Sequence, residues 1–319
     1  MNENKRYYIG IDLGGTFIKG GICTREGELL INDKIATEGH LGGERVAENV
    51  STLTKKLISE LNISPSDVVG VGMGVPGLID SESGTVVFWG KMRWENFPIG
   101  EMVSSLTGYP TRVINDANAA ALGETLFGSG KKYKNTVLLT LGTGVGGGVV
   151  IDGKLFEGNR SAGAELGHIV VVKDGVRCNC GRHGCLEAYA SATALIRETR
   201  RAMEEDKTSK MWQIGSLDAV TGETAFDYAS TDAAARRVVD NYLEMLGIGI
   251  VNYANVFRPE AIIIGGGVSA QGDALLSPLK AILERDIYAG GRGPSVDLII
   301  ATLGNIAGTL GAAASAFAD

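Results

Sequence analysis

The segment 178–185 reads Cys-Asn-Cys-Gly-Arg-His-Gly-Cys and contains three of the four cysteines of the chain. Three thiolates and one imidazole make a tetrahedral ligand set for Zn²⁺, and a site with four protein ligands is closed and therefore structural. Two histidines are available as the fourth ligand: His183 lies inside the segment and His168 lies ten residues before Cys178. A group of free thiols is the alternative to a zinc site.

Three glycine-rich stretches follow apolar runs of sequence, at residues 12–16, 141–148 and 265–267. Backbone N–H groups with no side chains between them can converge on the oxygens of a phosphate. No Gly-Lys-Ser/Thr follows, which excludes a P-loop. The first stretch leads into a predicted strand instead of the helix that a Rossmann fingerprint requires. Ordinary hairpin turns are the alternative, but three such loops together favour a nucleotide site.

Side chains next to these loops could complete a phosphate site. Asp12 lies at the end of an apolar run, where a carboxylate could hold Mg²⁺ directly or through water; it could equally cap the turn. Thr16 and Thr143 could add hydroxyl contacts, and Lys19 an ammonium contact, to phosphate. Lys19 is also consistent with a solvated strand residue.

Other carboxylates could act on a hydroxyl group. Asn115 and Asp116 stand where a predicted strand gives way to a predicted helix, and a carboxylate at that point can accept a proton from a bound alcohol. Either residue could instead cap the helix. Glu165 and Glu187 lie on either side of the cysteine segment. They could accept hydrogen bonds from a polyol, or they could be surface charges.

Alternating strands and helices must position these residues. The apolar pattern predicts strands at 7–12, 17–23, 28–35, 68–74, 111–114, 260–264 and 297–300, and helices at 43–61, 99–106, 116–127, 191–205, 233–257 and 275–288, with a β-rich unit at 136–156 and a final helix. The helix at 43–61 shows a clear apolar face that includes Val46, Val50 and Leu53. The uncharged stretch 298–318 is long enough for a membrane span, but its Ala, Gly, Ser and Thr content favours a short strand and a tightly packed helix.

An internal repeat relates the first strands to the β-rich unit. At a constant offset of 128 residues, Leu13 corresponds to Leu141 and Gly14 to Gly142. A fixed offset of this kind indicates an internal duplication, although two glycine-rich hairpins could resemble each other by coincidence. We therefore expect two α/β domains in contact, with a cleft between them.

Length and charge limit the class of protein. The 319 residues suggest two domains. The net charge of −7 argues against a surface for nucleic acid or for an anionic membrane. The apolar run near the start of the sequence is too short for a secretory signal. In a reducing compartment, three clustered cysteines are more often metal ligands than disulfide partners. We expect a cytoplasmic protein.

The motifs together resemble one family. They are Asp-Leu-Gly-Gly-Thr at 12–16, Asn-Asp-Ala-Asn at 115–118, the glycine run at 141–148, Glu-Leu-Gly-His at 165–168 and the cysteine segment followed by Leu-Glu. This set resembles the ROK family (repressor, open reading frame, kinase) of bacterial sugar kinases, and more closely its ATP-dependent glucokinases. The resemblance extends over essentially the whole chain, and the cysteine segment followed by Leu-Glu is its most specific part.

The resemblance implies an actin-like (ribonuclease H-like) duplicated α/β fold with two domains and an interdomain cleft. We expect a small domain at 1–118 plus 304–319 and a large domain at 119–303 that carries the zinc loop. It also implies transfer of the γ-phosphoryl group of Mg-ATP to the 6-hydroxyl of a hexose, with glucose as the expected substrate. Hexose and Mg-ATP are the expected partners, and the chain is expected to form a homodimer or homotetramer.

Residue roles follow from the same resemblance. Asp116 corresponds to the general base, and the sugar contacts correspond to Gly77, Asn115, Asp116, Glu165, His168 and Glu187. The zinc ligands correspond to His168, Cys178, Cys180 and Cys185, which selects His168 over His183. The nucleotide contacts are expected at Asp12, Gly14, Gly15, Thr16, Lys19, Gly142, Thr143, Gly144, Gly265, Gly266 and Gly267.

Three alternatives remain at this point. A ROK kinase could act on fructose, mannose, allose or N-acetylmannosamine, which differ from glucose by one or two groups. A sugar-binding repressor would need an N-terminal helix-turn-helix, and six residues precede the first predicted strand. An actin-like or chaperone-like ATPase with protein partners would share the glycine loops but would have no use for the cysteine segment or for the group of Glu165, His168 and Glu187.

Overall fold

The computed structural model describes residues 6–317. Residues 1–5 and 318–319, which belong to the predicted small domain, lie outside the described residues. The strands are β1 (Tyr7–Leu13), β2 (Phe17–Cys23), β3 (Leu29–Ala36), β4 (Val68–Val75), β5 (Leu78–Asp80), β6 (Thr85–Trp89), β7 (Trp94–Phe97), β8 (Thr111–Asn115), β9 (Thr136–Leu141), β10 (Val145–Ile151), β11 (Lys154–Phe156), β12 (Ala261–Gly265) and β13 (Asp297–Ile300).

Helices separate the strands. They are α1 (Gly43–Leu61), α2 (Ile99–Thr107), α3 (Asp116–Phe127), α4 (Glu187–Ala190), α5 (Ala192–Glu205), α6 (Thr224–Tyr228), α7 (Ala233–Phe257), α8 (Asp273–Asp286) and α9 (Ala307–Ser315). The strands and helices for which the sequence predicted bounds are all present, with ends displaced by no more than two residues. Periodicity was sufficient for most of them because they bury a continuous apolar face or run, although β3 has no buried residue.

The first sheet has the strand order β3-β2-β1-β4-β8. Strands β1, β2 and β3 are antiparallel, whereas β4 pairs parallel with both β1 and β8. Helix α1 packs against this sheet through the predicted face, and its Val46, Val50, Leu53 and Leu57 are fully buried. The carboxyl ends of β1, β4 and β8 therefore lie at one edge of the sheet, where Asp12, Gly77 and Asn115 follow or end the strands.

The second sheet has the order β11-β10-β9-β12-β13. Strand β12 pairs parallel with β9 and β13, and β10 forms an antiparallel hairpin with β11. Strand for strand, this order repeats the first sheet, so the duplication predicted from the constant offset is confirmed.

Glycines let the C-terminal helix α9 approach its neighbours at backbone distance. A Cβ atom on Gly10 or Gly72 in the first sheet would collide with a carbonyl oxygen of α9, and a Cβ on Gly311 would collide with one of α3. The uncharged C-terminal stretch is thus a strand and a packed helix, as predicted. Between residues 6 and 317, no helix combines the length and apolarity needed to cross a membrane.

A small antiparallel sheet of order β5-β6-β7 was not predicted. Its strands have three to five residues, too few for an alternating pattern to be recognised. Trp89 and Trp94 flank the turn between β6 and β7 and contact each other edge to face, with ring centroids 5.3 Å apart. This sheet becomes important for the site because its turn lies beside the first glycine loop.

The chain divides into two compact units. Within the described residues, the first comprises 6–134, 148–164 and 302–317, and the second comprises 135–147 and 165–301. The domain boundaries and the cleft expected from the sequence stay predictions.

Candidate active site and metal centre

Hydrogen bonds within the turn and from Thr37 fix the backbone of the first glycine loop. The Gly14 N–H donates to the Phe17 carbonyl at 3.0 Å. The fully buried Thr37 donates its hydroxyl to the Gly14 carbonyl at 2.7 Å and its N–H to the Thr16 carbonyl at 2.9 Å. Thr37 therefore binds the carbonyl groups of Gly14 and Thr16, and these bonds stabilise the loop at both of its ends.

Asp12 stands next to this loop at the end of β1. Its carboxylate accepts from the Lys19 ammonium at 3.2 Å, and it faces Gly308 in the first turn of α9. Lys19 is 43% exposed but ion-paired, so the two predicted side chains act on each other. A carboxylate oxygen beside a glycine loop fits the hard oxygen-ligand chemistry of Mg²⁺.

The second and third glycine loops lie together in the second unit. A Cβ on Gly266 would collide with the backbone of Leu141, which begins the second loop. Thr193 donates its hydroxyl to the Thr143 carbonyl at 2.7 Å, and the Ala192 N–H donates to the Gly142 carbonyl at 2.8 Å. Cβ positions on Gly142 and Gly267 meet no described atom within 4 Å, so one side of each loop is open to a ligand.

Asn115 and Asp116 have different local roles. Asn115 is the N-cap of α3, since its side-chain oxygen accepts from the N–H groups of Ala117 at 2.9 Å and Asn118 at 3.2 Å. Its side-chain amide donates to the Gly77 carbonyl at 3.1 Å. Asp116 is the first residue of the helix and accepts from the Ala117 N–H at 2.9 Å. The helix cap expected at one of these residues is therefore Asn115.

Gly77 has a φ of +103°, and a Cβ there would collide with the Phe88 carbonyl. Only glycine fits this turn without strain. The bond from Asn115 joins the turn to the start of α3, so the structure brings Gly77, Asn115 and Asp116 together in the first unit.

Glu187 connects the cysteine segment with the second glycine loop. It is the first residue of α4, and its Oε2 accepts from the Val145 N–H at 3.1 Å. Its Oε1 lies 3.5 Å from the sulfur of Cys178, and a Cβ on Gly144 would collide with the carboxylate. Glu187 is half-buried, so it is not merely a surface charge. Glu165, by contrast, is exposed.

The candidate metal ligands are His168, Cys178, Cys180 and Cys185. One donor atom from each residue lies within 4.8 Å of all the others. Cys178 Sγ is 3.7 Å from His168 Nδ1, and Cys180 Sγ is 3.7 Å from Cys185 Sγ. Sulfurs about 2.3 Å from a tetrahedral ion would be about 3.8 Å apart, so these donors fit Zn²⁺. His183 lies outside this group.

The thiols of this group have pKa values shifted in different directions. Burial raises the pKa of Cys178 to about 12. The backbone N–H of Arg182 lowers the pKa of Cys180. Because Zn²⁺ binds thiolates and stabilises them, a cation among these sulfurs would offset the desolvation that disfavours a charged Cys178.

Comparison with known proteins places this geometry in a family. The model of the ROK family matches residues 8–318. The chain belongs to the ROK family. The recognition made from the motifs is therefore confirmed, together with the actin-like duplicated α/β fold that it implied.

Relatives of this ROK protein include sugar kinases. It is 41% identical over 314 residues to a glucokinase of Halalkalibacterium halodurans, which covers 96% of this chain and 93% of the relative. A ROK family glucokinase from Streptomyces griseus, solved in complex with glucose and AMPPNP, has a TM-score of 0.79 and 35% identity, covering 96% of this chain and 98% of that one. The ROK hexokinase from Thermus thermophilus has a TM-score of 0.82 and 32% identity, covering 98% of both chains.

One side chain beside the first glycine loop was missed by the sequence reasoning. Lys91, in the turn between β6 and β7, occupies the space in which a Cβ on Gly15 would lie. Nothing local in the sequence signals this contact, since Lys91 follows Gly15 by 76 positions. The two tryptophans that flank the turn were the available indication of a hairpin.

Proposed function

We propose that this protein is an ATP-dependent hexose kinase that transfers the γ-phosphoryl group of ATP to the 6-hydroxyl of glucose. The observation that carries the proposal is the similarity to glucokinases over 96% of the chain, at 41% identity for the H. halodurans relative. The solved S. griseus relative binds glucose and AMPPNP, which supports a hexose and a nucleoside triphosphate as the two ligands here.

Asp116 is the proposed general base. It accepts the proton of the sugar 6-hydroxyl as the new O–P bond forms and the bond to the ADP leaving group breaks. Phosphoryl transfer depends mainly on alignment and on charge neutralisation, so the task of Asp116 is to orient the hydroxyl and remove its proton. Asn115 supports this role by capping α3 and holding Gly77.

The glycine loops are the proposed phosphate sites. Backbone N–H groups at Gly15 and Thr16 in the first unit, and at Thr143, Gly144 and 265–267 in the second, would donate to phosphate oxygens. The N–H groups of Gly14 and Gly142 are bonded to the Phe17 and Gly144 carbonyls, so these two glycines would shape the loops around the phosphates. Lys19 adds positive charge beside Asp12. Asp12 would hold Mg²⁺, directly or through water, and the ion would supply further charge neutralisation at the phosphates.

Glu165, His168 and Glu187 are the proposed sugar contacts of the second unit. The zinc ligands proposed are His168, Cys178, Cys180 and Cys185, and the ion would have a structural role. The His168 Nδ1 faces Cys178, which leaves Nε2 for a sugar hydroxyl. Glu187 lies against Cys178, so a fixed cysteine segment also fixes this carboxylate.

Hexose-dependent release of ADP tests the proposal. The purified protein is incubated with Mg-ATP and, in turn, glucose, fructose, mannose, allose and N-acetylmannosamine, and ADP is measured by a coupled assay. We expect glucose to give the highest kcat/KM and the product to carry phosphate on its 6-oxygen. ATP turnover that no sugar changes would contradict the kinase and favour a protein-binding ATPase. Sugar binding without turnover would favour a regulator.

Location and assembly remain predictions. We propose a cytoplasmic enzyme, because free thiols and a thiolate–zinc loop persist best in a reducing compartment. A homodimer or homotetramer is proposed from the family resemblance alone.

A further inference from the structure

Lys91 lies against the backbone of the first glycine loop. Its Nζ, Cε and Cδ atoms would be 2.5, 2.8 and 3.1 Å from a Cβ on Gly15. The lysine side chain therefore fills the space that Gly15 leaves open. The ammonium group is thereby placed beside the N–H groups that are proposed to bind phosphate.

Packing holds the turn that carries Lys91. Trp89 precedes the turn and Trp94 follows it, and their rings contact each other at right angles. The ring of Trp94 also packs against that of Phe97, with ring centroids 4.5 Å apart. Met92 lies against Gly39, in the segment that follows Thr37. Thr37 is bonded to Gly14 and Thr16, so the turn and the loop are joined through one buried residue.

The charge of Lys91 is not compensated within residues 6–317, where no carboxylate lies within 4.0 Å of its Nζ. The other lysine near the loop, Lys19, is paired with Asp12. Glu38 lines the same cavity as Lys91, but it is bonded to Arg45 at 2.8 Å and to Asn49 at 3.1 Å. Arg93 also lines the cavity and adds positive charge. Gly15 and Thr16 of the first glycine loop line the same cavity, so uncompensated positive charge lies beside this loop.

We propose that Lys91 is a further phosphate-binding residue, whose ammonium group contacts the terminal phosphates of ATP. This inference rests on the proposed kinase function. Charge spreads over the phosphoryl oxygens during transfer, and a flexible ammonium group can follow them. A Cβ at residue 15 would displace the end of the lysine side chain from this position.

Nucleotide binding without hexose tests the proposal apart from turnover. The affinities of wild type, Lys91→Met and Lys55→Met for AMPPNP and for AMP are measured by calorimetry in Mg²⁺. Lys55 is an exposed lysine of α1, so Lys55→Met makes the same change in charge and shape as Lys91→Met. We expect Lys91→Met to bind AMPPNP about 10- to 100-fold more weakly, as for loss of a charge-assisted bond. Its affinity for AMP, and both affinities of Lys55→Met, should be unchanged.

Each other outcome has a definite meaning. Unchanged AMPPNP affinity in Lys91→Met overturns the proposal, and so does an equal loss for AMP and AMPPNP, because the lysine would then only support the loop. Lys91→Arg keeps the charge and should retain most of the AMPPNP affinity; a loss equal to that of Lys91→Met would also count against the proposal. A wild-type protein that phosphorylates no hexose contradicts the proposed function but leaves this binding comparison valid.

Discussion

Asp116 is the residue on which the proposed reaction depends most directly, and asparagine is the informative replacement. Asn115 already caps α3, so Asp116→Asn leaves the helix start intact. We expect kcat to fall by about 10²- to 10⁴-fold, because the amide cannot accept the hydroxyl proton. Hexose affinity should stay within about tenfold, since an amide oxygen still accepts a hydrogen bond. The coupled assay gives kcat, and calorimetry gives affinity.

The matched control for this variant is Asp218→Asn, which makes the same change at an exposed position of the other unit. It should leave both quantities unchanged. Turnover by Asp116→Asn at the wild-type rate would remove Asp116 from the role of base.

At the scale of elements, the cysteine segment is expected to depend on its metal. Cys180→Ala removes one of four converging donors. We expect the purified variant to contain about one zinc ion fewer per chain and to bind hexose more weakly, because Glu187 lies against Cys178. Zinc is measured by atomic absorption and hexose affinity by calorimetry on the same sample.

Cys23→Ala is the control, because Cys23 is buried in β2 and outside the donor group. It should keep both the zinc and the affinity. A wild-type protein that is free of metal and yet fully active would refute the structural zinc.

Helix α3 also contains a buried carboxylate that orders the start of the C-terminal segment. Glu124 is 1% exposed, and it accepts from the N–H groups of Thr302 at 3.1 Å and Leu303 at 2.6 Å, and from Ser129. Glu124→Gln replaces one acceptor oxygen by a donor. We therefore expect the free energy of unfolding to fall by about 1–3 kcal/mol, as for a buried N–H left without a partner.

Denaturant unfolding measures this loss, with Glu101→Gln on the exposed side of α2 as control. Equal stability of the two variants would show that the turn at 302–303 does not need the carboxylate.

On the scale of the whole molecule, the first unit is assembled from three separate segments of the chain. Helix α9 belongs to the last segment and packs on strands of the first through glycines such as Gly72, where a Cβ would collide with the Ala312 carbonyl. We expect Gly72→Ala to lower the free energy of unfolding by about 1–3 kcal/mol or more, because backbone cannot give way as a side chain can. Thermal unfolding gives the difference.

The matched control is Gly222→Ala, where the nearest atom to the added Cβ is 3.6 Å away. It should unfold like wild type. If Gly72→Ala also does so, then α9 tolerates displacement from the sheet and the glycines of this interface serve another purpose.

Local pattern determined much of this protein. Most of the predicted strands and helices bury an apolar face of their own, so period and apolar runs were enough to find them. The constant offset between Leu13 and Leu141 indicated the duplication, and the motifs indicated the family. Both signals lie in the order of residues along the chain. The β5-β6-β7 sheet was not predicted, because strands of three to five residues are too short to show a period.

Only the tertiary structure decided which distant residues meet. The spacing of the cysteine segment allowed His183 or His168, and the family resemblance selected His168; folding is what brings His168 to the sulfurs. Lys91 reaches Gly15 because two hairpins are packed together through Thr37 and Met92. Gly10, Gly72 and Gly311, for which the sequence predicted no role, let helices pack at backbone distance. Such contacts join positions far apart in the chain, and they depend on how faces pack, which no local spacing encodes.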